Sequence, residues 1–352
     1  MLESKSYIAT PPGATIKEQL DDRGMTQKEF AGRMGLSEKH VSKLLGGAVH
    51  LTPDMAERLE LVLGIPAGFW NKLEAIYQEK LAKVKKEIEL EKEKDLASKY
   101  PYTKIAKWGL VPSTQNIRER IVNLCKYFEV SNLKLVQNKD LMPVFCRKLS
   151  DTEKSTYAML TLAQYAKIKA REMDVRPFKL ETLKRKIKAI RALTTHQTMD
   201  FETELVEMLR DCGVALVFLP KLQGSFLHGI SFYDSNTKKV IVGISMRGKY
   251  ADRFWFSLFH ELAHIILGHI YEINGTTDAD ETAADVMAAE ILIPKKEIME
   301  FYARHSFSLM SIKEFAATIG TNEGIVIGRL QNDKYLLPSQ FNQYKVKFEE
   351  VA

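Results

Sequence analysis

Apolar positions recur along this chain with two different periods, and the change of period divides it. Over residues 14–45 the spacing is helical: Ile16 and Leu20 share one face, Phe30, Ala31 and Met34 a second, and Val41, Leu44 and Leu45 a third. Pro11-Pro12-Gly13 precedes the first run and Arg23-Gly24 ends it. Thr26, with Glu29 three residues on, is a capping-box pattern; Ser37 opens the third run and Gly46-Gly47 stops it. From residue 66 to about 99 little breaks a helix apart from the surroundings of Gly68. Tyr77, Leu81, Val84 and Ile88 are spaced 4, 3, 4 there, which fits either a short coiled-coil seam or a stripe docked on its neighbours. Helices are expected over 116–128, 152–173 and 177–193. The period then falls to two: residues 214–220, 229–234 and 239–245 read as strands, the last two joined as a hairpin across Ser235-Asn236-Thr237. A long apolar helix, DRFWFSLFHELAHIILGH, follows. The pattern predicts a mainly α chain with a small antiparallel β-sheet, of the α+β class.

Composition narrows this only a little. With 352 residues, 45% hydrophobic and 27% charged, the chain is of ordinary globular type, which excludes collagen-like and wholly disordered classes. The net charge of +6 is a sum of unlike parts: −1 over residues 1–80, +1 over 81–100, +12 over 101–199 and −6 over 200–352. Cys125, Cys146 and Cys212 form no CxxC pair, which argues against a disulfide framework and for a reducing cytoplasm. The amino-terminal residues lack a signal-type apolar core. The most apolar stretch, 254–267, is interrupted by His260, Glu261 and His264, so a cytoplasmic protein without a membrane span is expected.

The spacing of Ala31, Gly35, Val41 and Leu44 fits two helices crossing at a short turn, a helix-turn-helix. The exposed side of the third helix then carries Ser37, Glu38, Lys39, His40, Ser42 and Lys43, with Gln27 and Lys28 beside it. Polar groups there reach base edges and lysines reach phosphates of operator DNA. The head is not basic overall, so binding as a homodimer to a two-part site is expected.

His260-Glu261-Leu262-Ala263-His264 is HExxH. Residues four apart share a helix face, so both imidazoles can hold one metal ion while Glu261, one residue round, serves as general base toward a water. Two candidates complete the ligand set: His269, nine residues after His260, and Glu281 in DETAAD on the next helix, the better placed of the two. Asp285, one turn beyond Glu281, can then fix the tautomer of a ligand histidine, a gluzincin-like arrangement, with His269 left as a surface or outer residue. The oxyanion would fall to His228, Tyr233, Tyr250 or Tyr271, and the edge of the 229–245 hairpin could take the substrate as an added strand.

Two resemblances follow. The run from Gly13 through LTPDMAERLELVLGIPAGFWNKLEAIY, with Thr52-Pro53 and Phe69-Trp70, resembles the HigA-type branch of Cro/C1-like (XRE) domains. This implies a five-helix DNA-binding head in a dimeric repressor or antitoxin, with a toxin as a possible partner. SMRGKYADRFWFSLFHELAHIILGH, DETAADVMAAEILIP and GIVIGRLQ resemble the ImmA/IrrE family of metallo-endopeptidases, which implies Zn2+ (or Mn2+) and cleavage of an XRE-type repressor to switch a stress, phage or toxin–antitoxin response. Ala283 stands where many members carry a second acidic residue. The domain plan is 1–78 for the helix-turn-helix, 79–100 for a charged helical linker, 101–210 for a helical basic middle and 211–340 for the peptidase. The alternative is a repressor or antitoxin whose zinc site is structural or gated.

Residues 310–338 echo 25–53: Phe315, Ala316, Gly320 and Val326 stand where Phe30, Ala31, Gly35 and Val41 do. Ile325, Val326 and Ile327 give this second helix-turn-helix an apolar third helix, predicting a docking element without DNA contact. The basic run KLETLKRKIKAIR reads as a solvated connector or as a second polyanion surface.

Overall fold

The structure, a computed structural model, describes residues 2–4, 6–138, 153–196, 198–222, 225, 227–245, 250–272 and 275–348. Cys146 lies outside them. The chain forms two compact units: Met1–Asp95 with Asn116–Ile121, and Leu96–Gln115 with Val122–Ala352.

In the first unit a two-rung antiparallel ladder of β1 (Leu2–Glu3) and β2 (Ile8–Ala9) precedes α1 (Pro12–Asp22), α2 (Gln27–Met34), α3 (Glu38–Leu45), α4 (Pro53–Leu63) and the long α5 (Ala67–Lys99). The first four helices start where residues that fit a helix entrance stand. Pro12 occupies the first turn of α1, and Thr26, Ser37 and Thr52 each accept a backbone N–H from the first turn they open. The capping box at Thr26 is only half formed, because Glu29 turns to Arg33 at 2.7 Å. Gly35 ends α2 at φ 64°, which lets α3 turn away within three residues. Ile16, Phe30, Val41, Leu59 and Trp70 are buried together, so all five helices share one core. The apolar stripe of α5 is a docked one: Tyr77 and Val84 are buried with Ala9 of the amino-terminal ladder, and Leu81 and Ile88 pack beside them.

The second unit holds α6 (Tyr102–Lys107), most of α7 (Ile117–Phe128), α8 (Glu153–Glu172), α9 (Leu180–Ala192) and α10 (Glu202–Cys212). Strands β3 (Val214–Leu219), β4 (Gly229–Asp234) and β5 (Lys239–Ser245) follow, then α11 (Ala251–Leu267), α12 (Asp278–Leu292), α13 (Lys295–Ala303), α14 (Leu309–Ile319) and α15 (Glu323–Asn332). The β4–β5 hairpin is antiparallel as expected, but β3 pairs with β5 in parallel, in the order β3-β5-β4. The sheet is therefore mixed, a correction to the antiparallel expectation. The reason lies in β5: Val240 to Ile244 are buried without alternation, which suits a central strand covered on both faces. One face packs on α8 through Ala158, Leu162 and Ala166; the other, through Val214, Leu216 and Val242, joins the core that α11 shares.

The segment 310–338 holds α14 and α15. Gly320 adopts φ 66° between α14 and α15, as Gly35 does in the head. Ile325, Val326 and Ile327 are buried, and α15 packs on α11, so this helix pair belongs to the core of the second unit. The basic stretch is likewise drawn into the fold. Arg191 donates to Leu292 O at 3.0 Å and Ile319 O at 2.7 Å, closing the ends of α12 and α14, and Lys186 pairs with Asp211 at 2.8 Å. No helix among the described residues is long and apolar enough to cross a membrane.

Candidate metal centre and DNA-facing helix

α11 is an apolar helix with one polar face. Trp255, Leu258, Phe259 and Leu262 fix it in the core, and this leaves His260 and His264, one turn apart, facing α12. α12 begins at a complete capping box between Thr277 and Asp280, which sets where Glu281 falls. The result is convergence. His260 Nε2 and His264 Nε2 are 3.0 Å apart, and Glu281 Oε2 is 3.3 Å from the first and 3.6 Å from the second. Donors about 2.0–2.2 Å from a tetrahedral ion stand roughly 3.3–3.5 Å from one another, so two imidazoles and one carboxylate at these separations fit a single divalent cation. Glu281 Oε1 is turned away and accepts a 2.6 Å hydrogen bond from Thr276 Oγ1, leaving Oε2 for the cluster. Asp285 Oδ1 stands 2.8 Å from His260 Nδ1.

The electrostatics of the cluster follow from this crowding. Burial works against charge on His260, but the hydrogen bond to Glu281 and the charges of Glu261, Asp285 and Glu281 outweigh it and push its pKa up to about 9. The same hydrogen bonds, from His260 and then His264, hold Glu281 well below the usual carboxylate range against the effect of burial. A protonated imidazole cannot ligate. Below about pH 9 a cation must therefore displace a proton from His260, and zinc affinity is expected to fall as pH is lowered. Calorimetric titration with zinc in two buffers of different ionisation heat should reveal the proton released.

Glu261, which lines the same pocket as the three donor residues, is almost fully enclosed. Ser231 Oγ of β4 donates to its Oε2 at 2.6 Å. Gly229, two residues earlier on the same strand, runs so close that a Cβ there would lie 2.6 Å from Glu261 Oε1. Burial raises the Glu261 pKa, with His260 and the Ser231 hydrogen bond opposing. A pocket of about 500 Å³ opens onto Glu261, both histidines and Glu281, and its walls include Met159, Leu227, Ile230 and Phe256. Of the four oxyanion candidates only His228 lines this pocket; Tyr233 and Tyr271 pack on each other outside it, with ring centroids 5.4 Å apart. His269, the other candidate ligand, is buried and meets the outer nitrogen of His264, away from the three converging atoms.

In the head, Gln27, Lys28, Ser37, Glu38, Lys39, Ser42 and Lys43 are exposed on α2, α3 and the turn between them. Ser37 also accepts the His40 N–H as the cap of α3. His40 is half-buried and its Nε2 is shielded, which leaves less of it to reach outward.

Comparison with known proteins places both ends. A helix-turn-helix family model matches residues 16–70, and a peptidase M78 model, described as an IrrE N-terminal-like domain, matches residues 217–326. An uncharacterized HTH-type transcriptional regulator of Escherichia coli (strain K12), YddM, is 34% identical over 79 residues, 22% of this chain and 82% of that protein. The chain belongs to the XRE-type helix-turn-helix regulators and carries an IrrE-like peptidase domain. The M78-matched span contains α11, α12 and the whole converging cluster. Ser231, Gly229, Thr276 and Met159 also line the pocket, and none of them has a signature in the sequence. A lone Ser or Gly in a strand carries no spacing signal, and Met159 comes from a helix about a hundred residues upstream.

Proposed function

We propose that this protein is a DNA-binding regulator whose IrrE-like domain is a zinc- or manganese-dependent endopeptidase that cleaves an XRE-type repressor or a similar partner. The observation that supports it best is Glu261: a carboxylate held beside three convergent donor atoms yet not one of them, in the wall of an open pocket. A purely structural metal site would have no use for it.

His260, His264 and Glu281 would hold the cation. A divalent ion there supplies Lewis acidity to a carbonyl and acidifies a water. The rest is the work of the chain. Ser231 fixes Glu261 Oε2, which leaves Oε1 to take the proton of the attacking water and return it to the leaving amine. β4 is an edge strand, and its residues 229–231 line the pocket, so a substrate can pair with it as an added strand. His228, which lines the pocket, is our choice for the group that meets developing negative charge on the carbonyl oxygen. The apolar walls favour a hydrophobic side chain next to the cut bond.

The test is cleavage by the full chain of co-encoded XRE-type repressors. Cutting with zinc or manganese, its loss with a chelator and its return on adding metal are expected; intact repressors under every condition would overturn the reading. In the head, Lys39 and Lys43 are assigned to phosphates and the polar groups of α3 to base edges. Exposed Leu61 and Phe69 offer apolar surface for pairing two heads. Lys39→Ala and Lys43→Ala should each weaken operator binding evenly across sequences and lower its salt slope by about 0.9, measured by titration at several salt concentrations.

A further inference from the structure

His264 turns Nε2 toward the donor cluster, so its Nδ1 points the other way. There it meets His269: the two Nδ1 atoms are 2.9 Å apart and the rings cross at 65°. His269 opens the short turn His269–Tyr271 that follows α11 across Gly268, whose φ of 83° allows the chain to fold back under the helix end. The far nitrogen of His269, Nε2, lies 3.5 Å from Asp280 Oδ1. The other oxygen of Asp280 accepts from Thr277 N at 2.8 Å and Thr277 Oγ1 at 2.7 Å, which closes the capping box of α12. The next residue is Glu281. An unbroken line therefore runs from the outer edge of one donor histidine to the start of the helix that carries the third donor.

We propose that His269 is a positioning residue which, anchored by Asp280, fixes the tautomer and ring orientation of His264 and ties them to the start of α12. This rests on reading His260, His264 and Glu281 as a metal site. For His264 to ligate through Nε2, its proton must sit on Nδ1 and be donated to His269 Nδ1. The proton of His269 then lies on Nε2, facing the carboxylate of Asp280. The two donor histidines are thus braced differently: His260 by Asp285 directly, His264 by a carboxylate acting through a second imidazole. The longer brace makes the spacing between α11 and α12, and with it the distance from His264 to Glu281, depend on residues that touch no cation. Loss of such an outer partner typically lowers metal affinity about 10–100-fold.

The full-length protein, stripped of metal, would be titrated with zinc against a chromogenic chelator and with cobalt(II) followed by its visible absorption. His269→Leu is expected to weaken zinc binding about 10–100-fold and alter the cobalt spectrum. His269→Asn, which sets an amide oxygen near the place of Nδ1, should stay within a few-fold of wild type. Asp280→Asn keeps an oxygen for the cap of α12; it should weaken binding less than His269→Leu and add nothing to it in the double variant. Should His269→Leu fail to fold by circular dichroism, the Asn and Gln variants decide, because Gln carries its oxygen one methylene too far and should bind weakly. Wild-type affinity and spectrum in His269→Leu, or equal losses in Asn and Gln, would overturn the brace while leaving the metal site standing. Absence of zinc binding by the wild type, matched by His264→Ala, would overturn both.

Discussion

Glu261→Gln is expected to lower peptide cleavage by about 10²–10⁴-fold while zinc affinity stays within a few-fold of wild type. The substitution keeps size and keeps an oxygen that accepts from Ser231 Oγ, so the seat made by β4 is undisturbed. What it removes is the ability to take a proton. Burial lifts the Glu261 pKa from its ordinary range, and a base lifted toward neutrality is a stronger one at working pH. The acid side of the rate profile should accordingly report Glu261: activity falls as pH drops through its raised pKa, because the protonated carboxyl cannot accept. Gly229→Ala is a companion change with a different signature. Its Cβ would press on Glu261 Oε1, so it should reduce turnover by displacing the carboxylate, without altering the three donor atoms. Equal cleavage by wild type and Glu261→Gln, in a preparation that loses activity with chelator, would mean that another group is the base.

What could be read from the chain beforehand was whatever depends on short-range spacing. His260 and His264 are one helical turn apart, and any helix places them on one face. Glu281 and Asp285 repeat that logic on the next helix. The turn at Gly35 and the buried faces of α2 and α3 follow from the same local rules. Long-range placements were not legible. The parallel pairing of β3 with β5 is a contact between strands distant along the chain, and no periodicity encodes it. Ser231 and Gly229 meet Glu261 only because β4 packs on α11. His269 illustrates the boundary. Its distance along the chain allowed either a third ligand or an outer residue, and the decision rested on the left-handed turn at Gly268, which directs it to the Nδ1 side of His264.

Gly13→Ala should unfold the helix-turn-helix unit far more readily than its chemistry suggests. A methyl group at Gly13 would lie 2.3 Å from Leu45 O and 2.4 Å from Leu45 Cα, so it meets the backbone of α3 and no flexible side chain can give way. To admit it, the start of α1 must move off the helix that carries Lys39, Ser42 and Lys43. Overpacking of this kind costs about 3 kcal/mol, which for a domain of this size lowers the melting temperature by about 12–24 °C. Operator binding should fail together with the fold of the head, while zinc binding, which draws on residues of the other unit, should persist. Gly32→Ala supplies the contrast. A Cβ at Gly32 meets nothing within 4 Å, in the middle of α2, so the same added methyl should stabilise the head by about 0.5–1 kcal/mol through helix propensity alone. Thermal melts of the two variants separate close backbone contact at α3 from a general intolerance of the head to change. If Gly13→Ala melts with Gly32→Ala, α1 does not pack on the backbone of α3 at Gly13.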